Sequence, residues 1–300
     1  MTTTYAIETL GLGRMFGGRW AVADLHLQVP RGCVYGFLGL NGAGKSTTMR
    51  MLMGLLQPTS GYSSVLGMNP AVTDLEVKRR VGYVADSPNF YEWMTVREIC
   101  AFVAHYRKAE WDDTRANKLL DSFELPRNQK LKTLSKGQRS KVSLALALGF
   151  NPELLLLDEP TGGLDPIARR QFIEGVLAEY MEGDRTILIS SHLINEISGL
   201  VDYVGIIRDG QLIRSEPADK LLGGLRRVKL HYDIPAPGAY ACTGLLHSRT
   251  DGREAQLIVD DFDPERTPAE IQHLGASQVE IETLSLEDAF IELAGKAPQS

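Results

Sequence analysis

Cysteine is scarce in this 300-residue chain: Cys33, Cys100 and Cys242 are odd in number, far apart and never paired as CxxC. That pattern supports neither a disulfide framework nor a thiolate zinc site, and it suits a reducing compartment. Long apolar runs are missing as well. No uncharged stretch reaches the roughly 18 to 20 residues that span a bilayer, and the opening MTTTYAIETLGLGR has no apolar signal-peptide core. The chain is therefore expected in the cytoplasm. An excess of positive charge is also lacking. The 32 Lys and Arg stand against 38 Asp and Glu, a net −6 that gives no general attraction for nucleic acid. Internal repeats and low-complexity tracts are absent.

What is present is enough apolar side chain, 43%, to bury at least one substantial core in roughly one to three domains. The charge is unevenly spread. Residues 1–224 hold 25 basic and 25 acidic groups, whereas residues 225–300 hold 7 and 13, so the whole acidic excess lies in the tail. Short apolar runs at 33–38, 81–84, 154–157 and 187–190 read as buried strands. Between them Met49, Leu52, Met53 and Leu56, and likewise Val142, Ala145, Leu146 and Gly149, recur at helical spacing. Strands alternating with helices imply a largely parallel sheet. Thr95 with Glu98 has capping-box spacing, and Asp165 followed by Pro166 reads as the N-cap of a helix running to about Met181. The segment from 225 has its own alternation of strand-like and helix-like stretches and is expected to be a small α+β domain.

The sequence from Gly39 through Leu40, Asn41, Gly42, Ala43, Gly44, Lys45 and Ser46 to Thr47 matches GxxxxGKS/T between a strand and a helix. Glycines let backbone N–H groups converge on phosphate oxygens, and the helix N-terminus adds partial positive charge. Lys45 is expected to reach the β- and γ-phosphates and Ser46 to ligate Mg²⁺. A glycine-rich turn arising by chance rarely falls between a buried strand and a helix, so nucleoside triphosphate binding follows. After the apolar run LLLL, Asp158 and Glu159 place two acids where desolvation disfavours charge unless a cation compensates. Asp158 is then the metal partner, directly or through water, and Glu159 the group that polarises an attacking water. An exposed acidic turn closing a strand is the plainer alternative.

With these in place, Leu134-Ser135-Lys136-Gly137-Gln138-Arg139 resembles the signature LSGGQ of the ATP-binding cassette (ABC) transporter ATPases. The resemblance covers about residues 4–222. It implies an α/β P-loop NTPase fold with a helical subdomain near 88–150, in a nucleotide-binding domain of residues 1–224. It also implies a dimer, of this chain with itself or with a homologous ATPase subunit, in which each signature closes on the partner's ATP. Ser135, Lys136, Gly137 and Gln138 would then act across the dimer, at a helix start whose free N–H groups favour an anion. Ser135 also reads as a simple N-cap. Gly162-Gly163-Leu164-Asp165 resembles the D-loop, His192 the switch histidine and Phe16 the aromatic that stacks on adenine, with Trp20 as competitor. The NKxD guanine motif is absent, which favours ATP over GTP. Two positions depart from the family pattern: Lys136 replaces a glycine, and Asp86 stands where VGY(L/V)PQ has a metal-contacting glutamine. A carboxylate still suits Mg²⁺.

Asn89-Phe90-Tyr91-Glu92-Trp93-Met94 packs three aromatics and a methionine into six positions after Asp86, as a docking loop or a local mini-core would. Phe90 and Trp93 are expected to divide between those roles. Because the chain cannot span a bilayer, the resemblance implies an integral membrane permease as separate partner and a peripheral place on the inner face of the cell membrane. The terminal SLEDAFIELAG is similar to ATPases serving ABC-2 type exporters, so export is expected over import. Residues 225–300 would form an accessory domain. Two alternatives stand beside this reading: a non-transport ABC ATPase, against which the single cassette and short spacing of the motifs speak, and a regulatory subunit with weak hydrolysis, which Lys136 and Asp86 would favour.

Overall fold

The computed structural model describes residues 4–108, 110–162, 164, 165, 169, 172, 173, 175, 176, 185–192 and 194–295. Gly163, Pro166 and Met181, and with them most of the helix expected after Asp165, lie outside the described residues. The chain divides into two compact units, at residues 215 and 216. The sequence places the boundary at 224 and 225; the helix Ala218–Gly224 groups instead with the second unit.

The first unit contains two sheets. Strand β1 (Tyr5–Phe16) pairs antiparallel with β2 (Arg19–Leu25), β3 (Gln28–Pro30) and β5 (Ser60–Val65). This sheet has no counterpart among the apolar runs read from the sequence, because its long strand alternates and is broken by glycines. The second sheet runs in the order β10 (Gln211–Pro217), β9 (Tyr203–Arg208), β4 (Val34–Leu38), β8 (Thr186–Ser191), β7 (Leu154–Asp158) and β6 (Val81–Val84). Strand β4 lies parallel to both β8 and β9, β7 to both β6 and β8. Burial on both faces explains why these strands read as unbroken apolar runs. Strand β7 is buried at all five positions.

Helix α1 (Lys45–Leu52) follows β4 and buries Met49 and Leu52 in the core that holds Tyr35, Phe37 and Leu156. It begins at Lys45, inside the glycine-rich motif that runs to Thr47. Helix α2 (Asp74–Arg80) leads directly into β6. The segment between β6 and β7 is helical: α3 (Val96–Arg107), α4 (Asp113–Ser122) and α5 (Lys136–Leu148). The capping box expected at α3 is formed, with Thr95 N donating to Glu98 at 2.7 Å and Glu98 N to Thr95 Oγ1 at 3.2 Å.

The second unit begins with α6 (Ala218–Gly224). Its antiparallel sheet runs in the order β12 (Leu245–Asp251), β13 (Glu254–Val259), β11 (Arg226–His231) and β14 (Gln278–Thr283). One face buries Val228, Leu230, Leu257 and Val259 together with Ile271 of α7 (Arg266–Gln272). Helix α8 (Leu286–Ala294) is N-capped by Ser285 and sends Asp288 and Glu292 to Arg227 of β11.

Candidate active site

Parallel pairing fixes where the polar groups meet. Register places Leu38 beside Ser191 and Asp158 beside Ser190, so β4, β7 and β8 end level at their carboxyl ends, the usual ligand edge of an open parallel sheet. The glycine-rich loop leaves β4 at this edge. Gly44, the N-cap of α1, has φ 109, and a Cβ there would meet the Ala21 carbonyl at 2.6 Å, so the position admits only glycine. Gly39, Ala43 and Gly44 are buried, whereas Asn41 and Gly42 are exposed at the tip.

Lys45 is 5% exposed, and its Nζ donates to the carbonyls of Gly39 at 2.6 Å and Leu40 at 3.2 Å. The same ammonium lies 3.0 Å from Glu159 Oε1. That oxygen is buried and has no aligned hydrogen-bond donor, so the contact is ionic. The other carboxylate oxygen of Glu159, Oε2, bonds His192 Nδ1 at 2.7 Å. Glu159 itself sits at φ 46, a left-handed conformation uncommon outside glycine, and its N–H is held by Ser190 Oγ at 3.0 Å. The strained turn aims Glu159 back over the loop. His192 remains partly exposed at the rim.

Asp158 is 1% exposed and accepts hydrogen bonds from Ser46 Oγ at 2.9 Å and Ser190 Oγ at 3.0 Å. Tyr83 reaches its second oxygen at 3.5 Å. Burial pushes the Asp158 carboxyl above the usual range; the two serine hydrogen bonds oppose this, and the charges of Glu159 and Asp86 add to it. Burial also pushes the Tyr83 phenol up to about 12. A divalent cation here would relieve the penalty on Asp158. The Ser46 and Asp158 oxygens suit Mg²⁺, which is held by one or two carboxylates together with phosphates and water rather than by an all-protein cage. Among the described residues no cluster of three or more His, Cys, Asp or Glu forms such a cage.

Ser190 and Tyr83 are functional neighbours that the motifs did not single out. The signal for Ser190 was its place at the end of the apolar run ILIS, level with the acids. Asp86 is exposed and its charge reaches Asp158. Ser135 and Gln138 form a capping box, Ser135 N donating to Gln138 Oε1 at 3.0 Å and Gln138 N to Ser135 Oγ at 3.2 Å. Ser135 therefore does cap α5, and it is exposed there with Lys136. Gly137 packs so closely on Leu164 that a Cβ would lie 2.9 Å from that side chain. Asp165 is exposed beyond Leu164. Phe16 and Trp20 are both partly exposed, 47% and 42%, on neighbouring strands.

The loop after Asp86 is divided in its packing. Met94 is buried and Phe90 is half-buried with the Arg139 guanidinium 5.7 Å from its ring centre. Trp93 is 64% exposed and joins Tyr91, Phe102 and Tyr106 in a run of aromatic contacts, with ring centres 6.1, 5.6 and 4.9 Å apart. Phe102 and Tyr106 are four residues apart on α3, so helical spacing adds them to an aromatic face that the loop only begins.

A glycine-rich loop with a buried lysine, a serine bonded to a strand-end aspartate and a following glutamate define a P-loop nucleotide hydrolase. The family model described as ABC transporter matches residues 22–162. The bacitracin transport ATP-binding protein BcrA of Bacillus licheniformis is 40% identical over 72% of this chain and 71% of its own length. The daunorubicin/doxorubicin resistance ATP-binding protein DrrA of Streptomyces peucetius is 32% identical over 97% of this chain and 93% of its own. A solved structure of the ATP-binding subunit of an ABC transporter superposes with a TM-score of 0.65 at 28% identity, covering 72% of this chain and 91% of that one. The chain belongs to the ATP-binding subunits of ABC transporters: it is an ATPase that powers transport through a separate membrane permease. Among the described residues no helix is long and apolar enough to cross a membrane.

Proposed function

We propose that two copies of this chain, or one copy and a homologous subunit, hydrolyse MgATP at composite sites and drive export through an integral membrane permease on the inner face of the cell membrane. The reading of export is supported by the relatives named for bacitracin transport and for daunorubicin and doxorubicin resistance. Exposed Trp93, Tyr91 and Tyr106, with half-buried Phe102 in contact with the two tyrosines, offer the permease an apolar face, a composition common in interface cores. No nucleic acid partner is implied by the charge balance.

The observation that carries the catalytic assignment is Glu159, held between Lys45 and His192 with one buried oxygen lacking any hydrogen-bond donor. A carboxylate oxygen so placed is ready to accept a proton from an attacking water. Its ionic contact with Lys45 occupies the ammonium that a triphosphate would take, so the carboxylate oxygen stands where a phosphate oxygen would. When nucleotide displaces it, Glu159 is freed toward the water while His192 keeps it oriented. The loop amides and the α1 N-terminus hold the phosphates. Mg²⁺, with Ser46 and Asp158 as its protein partners, would neutralise charge on the β- and γ-phosphate oxygens. Phe16 would bear the adenine, and Ser135 to Gln138 at the tip of α5, of which Ser135 and Lys136 are exposed, would meet the partner's triphosphate together with Asp165 across the dimer.

Glu159→Gln keeps the size and the hydrogen bond to His192 but cannot take a proton. Its turnover is expected to fall by about 10² to 10⁴ while ATP binding is retained. Turnover at the wild-type rate under saturating MgATP would reject the assignment. A regulatory subunit with weak hydrolysis would instead show little turnover in the wild-type chain, with or without its permease.

A further inference from the structure

Arg14 is a cation for which neither the phosphate chemistry nor the fold so far has a use. It lies two residues before Phe16 on β1, across an irregularity in the pairing with β2 between Arg14 and Met15. Its guanidinium carbon is 4.7 Å from the centre of the Phe16 ring. Nη1 donates to the Gln57 carbonyl at 2.9 Å, which anchors the group from the chain segment leading to β5. Nε is buried and has no hydrogen-bond partner. An orphaned buried N–H of a charged group is costly, and it is tolerated here alongside a contact between the planar cation and an aromatic face.

The backbone under the ring is equally well fixed. Gly17 and Gly18, both at positive φ, form the two-residue turn joining β1 to β2 and set Phe16 opposite Arg19 and Met15 opposite Trp20. Met15 N donates to Thr59 Oγ1 at 3.1 Å and Thr59 N to the Gly13 carbonyl at 2.7 Å, so the strand is tied down on both sides of Arg14. Yet the ring these contacts hold is 47% exposed. A large aromatic that is braced on one side and open on the other is prepared for a flat partner, and an ordered platform loses less side-chain entropy when that partner arrives.

We infer that Arg14 is a positioning residue for nucleobase binding: its guanidinium backs the Phe16 ring so that the open face receives the adenine of ATP. This deepens the reading of Phe16 as the base platform and rests on it. The cation contributes in two ways. It holds the ring in one orientation, and from the rear face it draws on the ring's π electrons, which favours stacking of an electron-rich base in front. Its own charge lies at the base end of the nucleotide, so little of it is felt at the phosphates across a screened distance.

The test separates base from phosphate by titrating the full chain with ATP and with inorganic tripolyphosphate, and by steady-state turnover. For Arg14→Met, Kd and KM for ATP are expected to rise about 3- to 5-fold, with kcat and tripolyphosphate affinity within about twofold of wild type. Arg14→Lys, which keeps the charge without the plane, should fall between. Phe16→Ala should erase most of the difference between ATP and tripolyphosphate, since base stacking contributes on the order of tenfold or more. Unchanged ATP affinity in Arg14→Met, or an equal loss for tripolyphosphate, overturns the role of Arg14 while leaving Phe16 standing. Unchanged ATP affinity in Phe16→Ala overturns the platform and Arg14's role with it. Melting of each variant without nucleotide, together with the conservative lysine, distinguishes a lost brace from a misfolded strand.

Discussion

Both units of this protein hold acids and bases in close contact, but for different ends. In the first, Asp158 and Glu159 at the end of a buried strand and Lys45 at the start of α1 are withdrawn from water, and the Lys45–Glu159 contact is the one that the proposed function has a nucleotide replace. In the second, Arg227 joins Glu292 at 3.2 Å and Asp288 at 3.4 Å, while His247 meets Glu292 at 3.2 Å, tying α8 to strands β11 and β12. These contacts brace the sheet against its helix, although Arg227 Nε and His247 Nδ1 are buried there without a hydrogen-bond partner. Lys229 with Glu282 and Glu280 continues the same cross-strand pattern on the exposed face of that sheet. Burial of charge by itself does not mark an active site; what marks it is burial of charges whose present partners are provisional.

The comparison breaks most sharply at Asp158. Asp158→Asn keeps an oxygen for Ser46 and Ser190 but removes the charge that would face the metal, so hydrolysis should fall by about 100-fold. The ligand-free protein should at the same time become more stable at neutral pH. Because burial raises this carboxyl in the folded state, its contribution to stability is full below the unfolded value of about 3.9 and is lost as pH rises through the folded value. Denaturation of wild type and variant at pH 7 and near pH 4 checks this: the variant's advantage should shrink in acid. An advantage independent of pH would refute the assigned cause.

Glu292→Ala tests the other side. Removing the 5% exposed acid leaves Arg227 and His247 without their shared partner and should cost the second unit about 2 kcal/mol, reduced from a fully buried pair because Arg227 is partly solvated. Chemical denaturation measures the loss, and ATP affinity should stay within about twofold. A stability loss near zero would place this cluster with ordinary surface pairs.

The smallest effect sharpens the comparison within the first unit. Asp86 Oδ1 and Lys136 Nζ lie 3.1 and 3.7 Å from the point a Cβ on Gly162 would occupy, so the two departures from the family pattern bring opposite charges to one place. Lys136→Gln, leaving Asp86 unbalanced beside Asp158, should raise KM for MgATP by about fivefold. Asp86→Asn should lower it by a similar factor, and the double variant should return near wild type. All three shifts should fade in 0.5 M salt. Shifts of the same sign in both single variants would show that the charges do not offset each other.

Much of the site was legible because its geometry is local. A glycine loop between a strand and a helix, a serine next to the lysine, two acids after LLLL, the capping box at Thr95 and the N-cap at Ser135 each depend on a few neighbouring residues. The antiparallel sheet around β1 was not legible. Its pairings join residues as far apart as Ile7 and Val65, and its strands are interrupted by glycines that make alternation hard to follow. Tyr83 and Arg14 escaped for a similar reason: Tyr83 lies in the VGY segment and Arg14 beside Phe16, but each matters only through a partner brought to it by folding. The aromatic loop was half read, since α3 supplies Phe102 and Tyr106 from the next turn of chain.

By itself the sequence marked out the loop expected to hold a triphosphate through main-chain amides, because loop and helix start are set by backbone preferences over a few residues. It also determined the family, through motifs whose order and spacing are written along the chain. Only the tertiary structure decided that Lys45 rests on Glu159, that Ser190 supports both Asp158 and Glu159, and that Arg14 stands behind Phe16. Those contacts join residues distant in the chain, and their existence depends on strand order, parallel register and packing, which settle together only when the whole core forms.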